Sequence, residues 1–310
     1  MCAPAWQVIL IWRLTKTGCS SVANIPNFVR EVVRRRRTFQ VLCLIGCFGF
    51  QQDLMVGSIK SFFNQVGGVS RFTAQFFRQV FFPPYEFREV LHQAFELGYR
   101  SIGLVGITGF IMGLVLTLQS RPTLVEFGAQ SWLPAMVGIS IVREIGPVIT
   151  ALICAGRIGS SIGAELGSMK VTEQIDAMEV SGTKPFKYLV STRVLSVTIM
   201  LPILVVFADA VALFGSFVGI NLKDEITVQL FLTQILDPLT FWDIVPATIK
   251  SIFFGLAIGI IGCYQGYNSD KGTEGVGKAA NSSVVISSLL IFIIDLLAVQ
   301  TTEALMYLSE

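Results

Sequence analysis

Long apolar stretches alternate with short charged connections over the last two thirds of the chain. A helix needs about 20 largely apolar residues to cross a bilayer. Five segments approach or exceed that length, at 101–118, 133–155, 194–220, 244–265 and 284–302. The first carries no charge; the others are interrupted by Arg143-Glu144, Asp209, Lys250 and Asp295 in turn. The pattern predicts an all-α integral membrane protein with five transmembrane helices.

Ahead of the spans the spacing changes. Residues 59–82 place Ile59, Phe62, Phe63, Val66, Val69, Phe72, Phe76 and Val80 at near-helical intervals. Lys60, Arg71 and Arg78 fill the gaps among glutamines, and Pro83-Pro84 ends the run. This is the pattern of a basic amphipathic helix lying in the membrane interface. A helix packed on the bundle is the alternative. The expected organisation is an N-terminal extension (1–58), an interfacial helix with its connector (59–98), and a five-span domain (99–308). Within the extension, residues 41–50 are apolar but too short to span. Arg34–Arg37 is a candidate lipid-headgroup contact or a plain solvated run, and Met55 is an alternative start.

Composition narrows the class. Hydrophobic residues make up 53% of the 310 positions and charged ones 14%, against about 25% charged in soluble domains. Mean hydropathy is +0.67. With 23 basic and 21 acidic residues the net charge is only +2, and the chain has one His. That balance argues against a nucleic-acid binder, and one His against histidine-rich metal sites. No catalytic constellation stands out, so the chain reads as a non-enzyme. The six cysteines show no C-x-x-C spacing; Cys154 and Cys263 lie in apolar segments and read as small buried hydrophobes.

Charge outside the spans sets direction. Of the 23 Lys and Arg, 19 fall on one side and only Arg121 and Lys223 on the other, with Arg143 and Lys250 inside spans. By the positive-inside rule the N-terminus and the 156–193 connection are cytoplasmic. The 221–243 connection and the C-terminus then face out.

Four motifs carry candidate chemistry. Gly272-Thr-Glu-Gly-Val-Gly277-Lys278-Ala279 falls one residue short of a phosphate loop. Ala279 lacks the hydroxyl that holds magnesium, and the segment lies between two spans rather than after a strand. Nucleotide is therefore not expected on this chain.

The charges inside spans are costly at mid-bilayer, about 2.5–3.5 kcal/mol each on insertion scales, so they face protein or a wet cavity. Arg143, Glu144, Lys250 and Asp295 are the candidate cavity groups. Arg143 is expected to pair with an acid, and Lys250 with Asp295 or Glu144. A structural ion-pair network is the bland alternative, and Lys250 and Asp209 can instead snorkel toward the interface.

Glycines recur at four-residue spacing at 109/113, 159/163/167 and 255/259, which lets helices approach closely in lipid. Last, residues 169–179 read as a short amphipathic helix with Thr172 as its cap, Ile175 and Met178 on its apolar edge, and Gly182 and Pro185 as its stop. Such a helix between two spans is either a peg for a partner or a plain surface element.

Here a resemblance enters. Arg143-Glu-Ile-Gly-Pro-Val-Ile-Thr-Ala-Leu-Ile-Cys-Ala-Gly-Arg157, followed by Gly163-Ala-Glu-Leu-Gly-Ser-Met-Lys-Val-Thr-Glu-Gln-Ile-Asp-Ala-Met178, resembles the signature of MlaE-type permeases. Gly262-Cys-Tyr-Gln-Gly-Tyr-Asn268 and Gly275-Val-Gly-Lys-Ala279 are similar to that family's block between its last two spans. The resemblance covers roughly residues 60–308. It departs at Asn281-Ser282, where many relatives carry a basic residue, so the positive charge entering span five is weaker here.

The resemblance implies the membrane subunit of an ABC lipid transporter, with an interfacial helix, five spans and a cytoplasmic coupling helix between spans two and three. It implies a homodimer, a partner ABC ATPase that holds ATP and magnesium, and a hexameric MCE-domain protein on the periplasmic side. A small STAS-type regulator is a further candidate partner, and phospholipid is the implied cargo. Lys170, Thr172, Glu173, Gln174, Ile175 and Met178 fall on the coupling helix, and Arg143, Glu144, Lys250 and Asp295 on charged positions near the lipid path. No cofactor is expected on this chain. The expected location is a bacterial inner membrane, with a chloroplast inner envelope as the alternative; the absence of a long Ser-rich leader favours the former. A secondary transporter or channel that uses the intramembrane charges as a proton or ion relay is the competing reading.

Overall fold

A computed structural model describes residues 64–80, 87–223, 226–239, 241–270 and 272–309, and every element in it is helical. The expectations for residues 1–58, including Arg34–Arg37, the 41–50 run and Met55, lie outside the described residues.

Among the described residues eight helices follow in order. Helix α1 covers 64–80. Helix α2 is Phe87–Glu126, α3 is the long run Gln130–Val171, and α4 is the short Gln174–Val180. Helix α5 is Phe186–Asn221, α6 is Val228–Leu236, α7 is Phe241–Tyr267, and α8 is Thr273–Ser309. Helices α2, α3, α5, α7 and α8 are the five spans, and their helical runs exceed the apolar windows, reaching 42 residues in α3. The physical reason is simple: apolarity marks the part of a helix that meets lipid, whereas backbone hydrogen bonding continues into polar sequence.

From Gly67 onward the chain forms one unit. Its main core gathers Leu166, Ile175, Leu189, Val194, Phe254 and Ile258 among others. A smaller cluster at the other end joins Leu133, Val137, Ile141, Ile220, Phe231 and Ile235. Outward-facing apolar side chains such as Ile107 (64% exposed) and Leu289 (60% exposed) belong to spans and suit lipid contact.

The small-residue stripes are used inside the chain. Gly109 and Gly113 of α2 lie on the backbone of Ala208 and Ala212 in α5. Gly255 and Gly259 of α7 lie on Val197, Thr198 and Val194 of α5. Gly163 and Gly167 of α3 face Ala279, Ala280 and Val276 of α8.

The packed edge of α1 becomes visible, and one expectation changes. Helix α1 is anchored on the bundle along one edge: Phe72 and Phe76 are buried, and Phe72 meets Phe186 edge-on at 4.9 Å and Tyr264 at 5.6 Å. Arg71, Phe77 and Arg78 remain exposed. The expected 169–179 helix is two elements instead. Helix α3 runs on to Val171, Thr172 closes it by donating its hydroxyl to the Ser168 carbonyl at 2.9 Å, and the chain turns at Glu173 (φ +57°). Thr172 therefore ends one helix rather than starting the next. A left-handed non-glycine residue costs of order 1 kcal/mol, and the turn holds it. Helix α6, in the 221–243 connection, was not visible in the sequence. Thr227 caps it, accepting from the Leu230 N–H at 3.4 Å, and Ile235 packs against Gly138 of α3.

Candidate functional site

Helix α3 carries Arg143 and Glu144 in a π-helical turn, Ile141–Ile145. Pro147 explains its place: lacking an N–H, it cannot bond the carbonyl four residues back, and its ring crowds that carbonyl. The helix widens instead, with the Gly146 N–H reaching the Ile141 carbonyl. Such turns re-aim side chains and recur at functional sites.

Glu144 is aimed at Lys250. The Lys250 ammonium is buried, 4% exposed, and donates to Glu144 Oε2 at 2.9 Å and Asp295 Oδ1 at 3.0 Å. One cation thus joins α3, α7 and α8 and takes both expected partners rather than one. It does not snorkel. Two carboxylates against one ammonium leave this triad with one excess negative charge. Arg143 approaches Asp243 of α7, with Nη1 3.9 Å from Oδ1. Its acid therefore comes from a residue that the sequence placed in a loop. Asp209 does not join the triad. Its Oδ1 is buried without a hydrogen-bond partner and sits against Gly146 at the foot of the π-helical turn, where any Cβ would collide with it. Beside it, Val105, Gly109, Met112, Ile145, Ile149 and Ala208 line an apolar groove between α2, α3 and α5.

The second arrangement is the loop helix α4. Ile175 is 1% exposed and enters the main core, with Met178 packed beside it. Lys170 at the end of α3 pairs with Asp176 at 2.8 Å. Thr172, Glu173 and Gln174 are exposed, as is Val180 at 90%. The six residues assigned here from the sequence therefore divide: Ile175 and Met178 hold the helix down, Lys170 braces it, and the other three face outward. Spacing does not single out Val180, because a lone Val at the end of the segment has no periodic partner.

Just inside the spans from this loop, Arg193 of α5 donates from Nη2 to Glu165 Oε1 of α3 at 2.6 Å, and from Nη1 to the Leu189 carbonyl at 3.2 Å. Arg193 is 4% exposed. It counted as a loop charge in the sequence because it sits at the edge of an apolar run. From Thr273 on the phosphate-loop lookalike is helical: Gly277 and Lys278 lie inside α8, and Lys278 pairs with Asp270 at 3.7 Å.

The family described as Permease MlaE matches residues 90–301 of this chain. A probable ABC transporter permease protein of Rickettsia typhi is 38% identical over 232 residues, covering 75% of this chain and 90% of the relative. A protein of the same description from Synechocystis is 34% identical over 236 residues, covering 76% and 90%. The chloroplastic protein trigalactosyldiacylglycerol 1 of Arabidopsis thaliana is 34% identical over 208 residues, covering 67% of this chain and 59% of that protein. The match spans all five membrane helices, the Lys250 triad and the exposed loop helix, and the chain belongs to the MlaE permease family of ABC transporters.

Proposed function

We propose that this chain moves phospholipid between a bacterial inner membrane and a periplasmic MCE-domain protein, as one half of a permease homodimer driven by a partner ABC ATPase. The observation that carries the reading is helix α4 with the turn before it, pinned through Ile175 yet presenting Thr172, Glu173, Gln174 and Val180 outward. A short helix held rigidly at the end of two spans can receive a push from a docked subunit and pass it on without bending. ATP and magnesium belong to that subunit. The concentration of Lys and Arg at the α4 end supports a cytoplasmic placement. A small ionic cluster inside the spans suits a cargo with a charged head.

The Lys250 triad also supports a second reading, in which the chain alone carries protons or ions. One experiment separates the two. The tagged protein is purified in mild detergent, and its partners are identified by mass spectrometry. Recovery of an ABC ATPase and an MCE-domain protein, with lipid-stimulated ATP hydrolysis lost in Glu173→Lys, is the expected result. A homo-oligomer without ATPase that transports under a proton gradient overturns it.

A further inference from the structure

We propose that the Glu165–Arg193 ion pair is a positioning clasp that makes the two stems of the α4 loop move as one body; this rests on the reading that α4 receives motion from an ATPase. Glu165 lies six residues before the end of α3, and Arg193 seven residues after the start of α5. At 1.5 Å per residue each is about 10 Å inside its stem. The pair is thus a crossbar between the two helices that leave the bundle to form the loop.

Three features separate a clasp from an incidental ion pair. Arg193 is buried while Glu165 is half exposed (5% and 53% of their side chains). Only the guanidinium is desolvated and the carboxylate is screened, so the pair adds little net stability, and its hydrogen bonds serve geometry instead. The guanidinium also makes two bonds at once, to Glu165 across the stems and to the Leu189 carbonyl. That carbonyl belongs to the π-helical turn Phe186–Ser191, through which the chain enters α5. A planar fork can hold both directions together, and a lysine cannot. Finally, Ile175 of α4 shares one core cluster with Leu166 beside Glu165 and with Leu189. Apolar packing resists separation of the stems, whereas the directional ion pair resists sliding and rotation. A displacement of α4 then travels up α3 toward Glu144, about 31 Å away along the helix, instead of being absorbed at the loop.

The test uses the whole transporter in vesicles of phosphatidylethanolamine and phosphatidylglycerol. The readout is fluorescent phosphatidylethanolamine delivered to the MCE-domain partner per ATP hydrolysed. Glu165→Gln is expected to lower that ratio about tenfold, in the range of ordinary coupling effects. Arg193→Lys, which keeps the charge but not the two-way fork, is expected to fall between. An unchanged ratio in Glu165→Gln, or an Arg193→Lys ratio equal to that of the wild type, overturns the clasp.

Hydrogen exchange on the lone protein supplies a measurement that needs no ATPase. Amides of residues 174–191 are expected to exchange about tenfold faster in Glu165→Gln, as a loosened local unit does. Equal exchange overturns the clasp. If the wild-type protein captures no ATPase, the proposed function fails, and the exchange rates alone decide the crossbar.

Discussion

Lys250 and Glu144 meet at 2.9 Å although 106 residues separate them in the chain. Asp295 closes the same ammonium from a third helix at 3.0 Å. Removing one partner of a buried ion pair typically costs about 3–5 kcal/mol, because the remaining charges lose their compensation. Lys250→Met is expected to lower stability by less than that, because the carboxylates it leaves unpaired are partly exposed, Glu144 by 38%. Thermal unfolding in detergent measures it. A variant as stable as the wild type contradicts the closed triad.

Ile175 and Val180 lie on one short helix but are expected to respond in opposite ways. Ile175 is 1% exposed and Val180 90% exposed. Ile175→Ala should cost about 2–5 kcal/mol, as large-to-small core changes do. Val180→Asp should leave the melting temperature unchanged and abolish recovery of the ATPase. Paired melting curves and pull-downs check both, and the reverse assignment of effects would refute the orientation of α4.

Glu173 combines an exposed side chain with a left-handed backbone, φ +57°. Glycine adopts that conformation without penalty. Glu173→Gly is expected to leave the lone protein at least as stable, while weakening ATPase capture about tenfold, equivalent to about 1.4 kcal/mol. Undiminished capture shows that the backbone turn, not the carboxylate, is what the partner reads.

Gly113 lies on the Ala212 carbonyl, so even one methyl collides with backbone that cannot rotate away. Gly113→Ala should push α2 from α5 and cost about 1–3 kcal/mol, the usual range for overpacking. Gly103, on the same helix, has nothing within 4 Å of a new Cβ. Gly103→Ala should be neutral or stabilising by up to about 1 kcal/mol. Comparing the two variants by thermal unfolding isolates the packing effect from helix propensity.

Much of this protein is written locally. Five apolar runs determine five spans, because a bilayer demands length and apolarity within one segment and both can be read along the chain. The charges at Arg143, Glu144, Lys250 and Asp295 were legible for the same reason: ionic groups in a span need a protein neighbour, whichever one it is. Tertiary structure decided which neighbour. Lys250 takes two acids at once, Arg143 approaches Asp243, and Asp209 stands apart against Gly146. It also decided that Ile175 points inward, that Thr172 ends α3, and that Arg193 is buried against Glu165 rather than a loop charge. Hydrophobic period reports what a helix needs to bury. What it is buried against depends on residues tens to a hundred positions away, brought together only when the spans pack.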